Sequence, residues 1–279
     1  MAIKDGNFLR GALGPYVFRE VHGKQIVSAR PSKGSRKQTL NTKKAATDFG
    51  ITSSLGSGMR KSVRYQLADF YPHNMPNRLV SALAKSVRAC RISQSTNAYT
   101  FNDKNFQNLI GFEFNTNSFL EYALDLSKVR HELRDRLVVT IPKLEVNKEL
   151  KFPNGLGYQC NLCVSVTFFR MSDGKRSRTA ETKKVTVRRD EQYLQEKVLT
   201  FKAPKGCLCM VSIFMEYLTF GSGEDLRSIN NKNLNPGAII AAFITPGRFA
   251  GQDEENLSYM LPVKRGIVAK AEAARHCKT

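Results

Sequence analysis

The sequence predicts a mainly β fold: an antiparallel β-sandwich, jelly-roll or immunoglobulin-like, preceded by a β-hairpin and two or three short helices. Three observations predict it. From about residue 98 onward, short runs rich in Val, Ile, Thr and Phe recur between turn residues. Helical spacing of apolar residues is confined to the stretch before that. Around His22-Gly23, two β-rich runs flank a two-residue turn whose glycine suits the positive φ of hairpins. A 41% hydrophobic content over 279 residues suffices for a core, and a 24% charged fraction argues against wholesale disorder.

Four segments follow from this reading: a hairpin and basic arm at 1–37, a helical segment at 38–97, a β-sandwich at 98–250, and a C-terminal basic arm or helix at 251–279. In the hairpin, Tyr16 and Phe18, with Glu20 at the end, share one face, while Val17, Arg19 and Val21 share the other. An isolated hairpin is marginal in water, so it must dock on the domain or on a neighbouring subunit. Thr42 is a plausible N-cap for a helix over 43–55, and Gly50, Gly56 and Gly58 interrupt the pattern there. Met59, Val63 and Leu67 predict a second helix over 58–70. Pro76 and the stripe Leu79, Val80, Leu83, Val87 and Cys90 predict a third over 76–91.

Strands are predicted at 111–115, 137–141, 163–169, 185–187, 197–201, 207–215 and 238–244, and residues 262–277 read as an Ala/Lys-rich helix or arm. No run approaches the roughly 18 apolar residues needed to cross a membrane. The opening residues lack the apolar core of a secretory signal, so a cytoplasmic location, or one inside a virion-like particle, is the expectation.

The formal net charge is +20, and three segments hold nearly all of it. Residues 30–64 contribute +8, residues 174–189 contribute +6, and the last sixteen residues contribute +4. In the first segment Arg30, Lys33, Arg36, Lys37, Lys43 and Lys44 form an arm ahead of the helices. In the second, Lys175, Arg176, Arg178, Lys183 and Lys184 fall in a predicted loop between two strands. Such clusters neutralise phosphates on DNA or RNA, or pair with acidic faces across a subunit contact. Aromatic residues are sparse around them and no recognition-helix or zinc-finger pattern appears, so sequence-specific readout is not expected.

No catalytic, cofactor or metal site is expected. The four histidines, His22, His73, His131 and His276, fit no nucleophile–base arrangement. The segment 50–58 lacks the Gly-Lys-Ser/Thr ending of a phosphate loop. Cys160, Cys163, Cys207 and Cys209 have a spacing reminiscent of zinc ligands. Strand alternation would turn Cys160 and Cys163 to opposite faces, so core filling is the preferred reading.

The N-terminal third also carries Gly11, Gly14, Val17-Phe18-Arg19, residues 23–27, Arg30-Pro31, Gln38-Thr39, and Ala45-Ala46 through Phe49-Gly50. In these residues it resembles an uncharacterised family of proteins from Bacteroidota and their mobile elements. The resemblance covers about 60 residues and implies an N-terminal hairpin and helices followed by a β-sandwich; it implies no activity and no site residues. The functional expectation is a non-enzymatic, self-assembling structural protein, a shell, tube or virion-like subunit whose partner is itself. The alternative is a non-sequence-specific DNA- or RNA-binding protein.

Overall fold

Gly6, Gly14 and Gly23 shape the first part of the chain. Each has a positive φ, 58°, 57° and 73°, which glycine adopts without steric cost. Each sits in a two-residue connection, and the connections join β1 (Ala2–Asp5), β2 (Phe8–Leu13), β3 (Tyr16–Val21) and β4 (Lys24–Ala29). The four strands form one antiparallel sheet in the order β1-β2-β3-β4. The predicted hairpin is therefore β3-β4, and two further strands precede it. The computed structural model describes residues 2–21, 23–30, 39–92, 99–101, 103–153, 157–171, 174–221, 225–249 and 257–259. His22, the 31–38 stretch of the arm, His276 and the predicted helix at 262–277 lie outside these residues. The chain divides into two units, Met1–Ala45 and Ala46–Thr279.

Helix α1 (Leu40–Ser62) begins in the first unit and continues into the second. Two helices broken at the glycines were expected; one helix of 23 residues is observed. The reason is packing. A Cβ on Gly56 would lie 3.3 Å from both Leu83 and Val80, so this glycine brings α1 close to α3 (Met75–Ala89) and does not end the helix. A short α2 (Arg64–Leu67) follows α1 and ends where Ala68 turns left-handed, at φ 45°. The α3 stripe is as predicted, with Leu79, Leu83 and Val87 buried.

The remaining strands are β5 (Arg130–Leu133), β6 (Leu137–Ile141), β7 (Leu144–Glu145), β8 (Gln159–Arg170), β9 (Lys175–Ser177), β10 (Glu181–Arg188), β11 (Tyr193–Leu194), β12 (Lys197–Phe201), β13 (Leu208–Phe220), β14 (Leu226–Ser228), β15 (Gly237–Ile244) and β16 (Leu257–Tyr259). The long antiparallel pair β8-β13 forms the spine of the second unit, registered from Gln159↔Leu218 to Phe169↔Leu208. β10 and β9 pair along the outer side of β8, β15 and β14 along the outer side of β13, and β16 joins β9. β5, β6 and β12 form a second sheet, and β7 pairs with β11.

The spine is covered on both faces. Leu162, Val164 and Val166 of β8, with Val211, Ile213 and Met215 of β13, share a core with Leu137, Val139 and Ile141 of β6 and Phe201 of β12. Phe169, Met210 and Phe214 point the other way and pack with Leu55, Met59, Leu79 and Leu83 of the helices. Double coverage explains why these strands read as nearly unbroken apolar runs. The mainly β, antiparallel class thus holds, with the helical segment serving as the outer cover of one face.

The predicted strand at 111–115 is reduced to an isolated antiparallel bridge, Glu113↔Ala238. A 3₁₀ segment, Asp103–Leu109, precedes it, and Gly111 takes a φ of 80°. Three backbone bonds hold this stretch to β15: the Gly111 N–H donates to the Ile239 carbonyl (2.8 Å), the Ile239 N–H to the Phe112 carbonyl (3.0 Å) and the Phe114 N–H to the Gly237 carbonyl (2.8 Å). The alternation of Phe112 and Phe114 reflects ring packing instead; the two rings meet edge-on at 5.5 Å, and Phe114 stacks on Phe214 at 5.2 Å. Among the described residues, no helix is long and apolar enough to cross a membrane.

Candidate interaction surfaces

The basic residues singled out from the sequence fall in different units: Arg30, Lys43 and Lys44 in the first, and Lys175, Arg176, Arg178, Lys183 and Lys184 in the second. Lys33, Arg36 and Lys37 lie outside the described residues. Arg30 follows β4, exposed, with its N–H donating to the Pro15 carbonyl at 2.6 Å. Lys43 and Lys44 stand at the start of α1, near the positive end of the helix dipole.

The stretch from Lys175 to Lys184 is a strand-turn-strand, not the predicted loop. Lys175 and Arg176 belong to β9, beside the C-terminal end of β8, and Arg178 lies exposed in the turn that follows. Arg176 is turned onto its own turn: its Nη1 donates to the carbonyls of Ser177 (2.6 Å) and Arg178 (2.8 Å), and burial lowers its pKa. Lys183 and Lys184 are neighbours on β10, so they project to opposite faces. Lys183 Nζ sits 5.3 Å from the centre of the Phe201 ring, on the sandwich side. Lys184 pairs with Glu216 at 3.3 Å, and Glu216 also accepts from Asn161 Nδ2 at 2.9 Å. In the described residues β10 pairs only with β8, so its outer side is a sheet edge. Lysines on an edge strand discourage further strands from adding there.

Two shielded carboxyl groups, Asp48 half-buried and Glu113 buried, escaped the sequence reading. Asp48 Oδ1 accepts from Arg91 Nη2 and from the Tyr99 hydroxyl, both at 2.6 Å. Glu113 is buried and accepts the Leu120 N–H with both carboxylate oxygens, at 3.1 and 3.0 Å. Burial is the main cause that raises its pKa from 4.5 to about 7, against the lowering effect of those backbone bonds. Arg78 Nη2 donates to the Glu113 carbonyl at 2.9 Å. Both sets join segments distant in sequence, and no local spacing marks them.

The cysteines fall as strand alternation requires. Cys160, Cys207 and Cys209 lie in the sandwich core, and Cys163 lies in the helix-side core. Burial raises the thiol pKa values of Cys160, Cys163 and Cys209, so these thiols resist ionisation. His131 stacks on Phe243 at 5.9 Å, and burial lowers its pKa.

The N-terminal sheet is the outstanding surface. None of the described residues from Ala2 to Ala29 is buried. Yet the strands carry Ile3, Leu9, Leu13, Tyr16, Val21, Ile26 and Val27, all exposed. Its order comes from backbone pairing and polar links. The Gln25 side chain donates to the Leu9 and Arg19 carbonyls (both 2.9 Å) and accepts the Leu9 N–H (2.7 Å). Arg10 pairs with Asp5 and Glu20. The signal for β1 and β2 was present in the sequence as Gly6-Asn7 and Gly14-Pro15, two-residue turn signatures at even intervals ahead of His22-Gly23. Comparison with protein-family models, curated proteins and solved structures finds no match to this chain.

Proposed function

We propose that this chain is a non-enzymatic structural subunit that assembles with copies of itself, as in a shell, tube or virion-like particle. One observation carries the reading: a regular four-stranded sheet whose described residues include none that is buried. Sheets of this size gain independent stability by burying an apolar face, and here the apolar residues stay exposed. The second unit supports the same reading. Its shielded carboxyl groups, Asp48 and Glu113, are engaged in holding segments together. The polyanion reading has less support from geometry, because Arg176, Lys183 and Lys184 are engaged within the fold.

Light scattering on native protein across a range of concentrations tests the proposal, with the 260/280 nm absorbance ratio taken on the same sample. The expected result is a mass that rises with concentration and a ratio typical of protein. A monomer at every concentration overturns self-assembly. A raised ratio that falls with added salt shifts the reading to nucleic-acid binding, whose phosphate contacts weaken steeply as salt increases.

A further inference from the structure

The N-terminal sheet has two unlike faces. Its register pairs Leu13 with Tyr16 and Tyr16 with Ala29. It also pairs Gly11 with Phe18 and Phe18 with Val27. Directly opposed residues project to the same side, so Leu13, Tyr16, Phe18, Val27 and Ala29 form one apolar stripe across β2, β3 and β4, with the opposed pair Glu20 and Gln25 at its end on the same side. On the other side, Ala12, Val17 and Ser28 share a row, and Arg19 pairs with Ile26 and Val21 with Lys24. That side is mixed and charged. Both sides are uncovered, since Val21 and Ile26 on the mixed side are also exposed, but the larger run of apolar side chains lies on the stripe, where Leu13, Tyr16 and Val27 are 57%, 52% and 51% exposed.

We propose that this stripe binds the same stripe of a second copy of the chain, the two sheets packing face to face about a two-fold axis. The proposal rests on the self-assembly reading and names its contact. Three arguments favour a second copy over other occupants. The first is charge. Copies carrying +20 each repel one another, so they approach at least cost where both surfaces are apolar. A nucleic acid or an acidic protein would instead be drawn to the face that holds Arg19 and Lys24. The second is symmetry. An isologous contact needs one self-complementary patch, and a flat stripe of Leu, Tyr, Phe and Val meets that need. The third is area. Three strands spaced about 4.8 Å and six residues long at about 3.4 Å give a footprint of about 300 Å² per copy before side-chain relief. Doubled, this is about 600 Å², below the roughly 1,000 Å² that a specific pairwise interface needs. The contact is therefore weak taken singly and suits an assembly of many copies.

Sedimentation velocity on the full chain, over a concentration series at about 0.05 M and about 0.5 M salt, tests this. Self-association is expected to tighten at the higher salt, because screening removes repulsion and leaves the apolar contact intact. Phe18→Lys is expected to weaken association at least tenfold, and Val17→Lys, on the opposite face, to leave it within about twofold, the size of effect a single desolvated charge produces. A Val27→Cys variant guards against misfolding. Under mild oxidation its new thiols should link two copies through position 27, as mapped by peptide mass, while Val17→Cys should not. Association that is unchanged by Phe18→Lys, equally lost in both lysine variants, or cross-linked through position 17 overturns the face-to-face contact and leaves self-assembly standing. Binding to vesicles of mixed neutral and anionic lipid that depends on Phe18, without self-association, overturns it in favour of a membrane surface. A parent chain that never associates defeats the self-assembly reading itself.

Discussion

Glu113 shows how one side chain couples pH to the fold. Its carboxylate is buried, and both oxygens take the Leu120 N–H at the start of a 3₁₀ turn. Because burial raises its pKa from 4.5 to about 7, the folded chain holds this proton more tightly than the unfolded chain does. Stability from this group is full below about pH 4.5 and is lost as pH rises through about 7, by at most about 1.4 kcal/mol per pH unit. Glu113→Gln, a mimic of the protonated form, should flatten urea stability across that window and leave it unchanged at pH 4; a slope equal to that of the parent would refute the assignment. Asp48 differs, because it faces the Arg91 guanidinium at 2.6 Å in a largely shielded site. Asp48→Asn keeps an acceptor but removes the negative charge facing that cation, so a loss of about 3 kcal/mol in urea unfolding is expected. Neither residue was legible in the sequence. Their partners lie 7 to 51 positions away, and an isolated acid on an alternating run looks like a solvated one.

At the scale of elements, legibility followed coverage. The α3 stripe and the strands at 137–141, 163–169, 197–201, 207–215 and 238–244 were readable because local period reports which side is buried. The α1 glycines misled because a close helix contact and a helix break use the same residue. The basic stretch at 175–184 misled because lysines on an edge strand look like lysines in a loop. Gly237, at the start of β15, gives a sharp test of packing between elements. A Cβ there would lie 2.3 Å from the Phe214 ring, which is itself stacked on Phe114 at 5.2 Å. The ring cannot retreat without disturbing that stack. Gly237→Ala should therefore cost about 1–3 kcal/mol by overpacking, seen as a lower urea midpoint at unchanged slope. An unaltered midpoint would mean that this edge of the helix-side core is looser than its burial implies.

For the whole molecule, the two units differ in what stabilises them. The second unit has two apolar cores on either side of one spine, so its stability is internal and independent of protein concentration. The N-terminal sheet has no buried described residue, so beyond its backbone pairing and polar links its stability would rest on whatever covers it. If copies of the chain do so, mass action links its order to concentration, with stabilisation growing as RT ln(1 + [L]/Kd). Amide hydrogen exchange separates the two cases within one sample. Protection of Val164 and Ile213, on the spine, should be the same in dilute and concentrated protein. Protection of Val17 and Ile26, whose backbone groups face the β3-β4 ladder, should rise by roughly threefold for each tenfold increase in concentration above the Kd, because free copies grow as the square root of the total. Higher salt should move that rise to lower concentration, since the +20 charge opposes every encounter between copies. Protection of the sheet that is high and independent of concentration would mean that its cover comes from within the same chain, and the N-terminal sheet would then be a folded part of the monomer instead of the piece that joins one copy to the next.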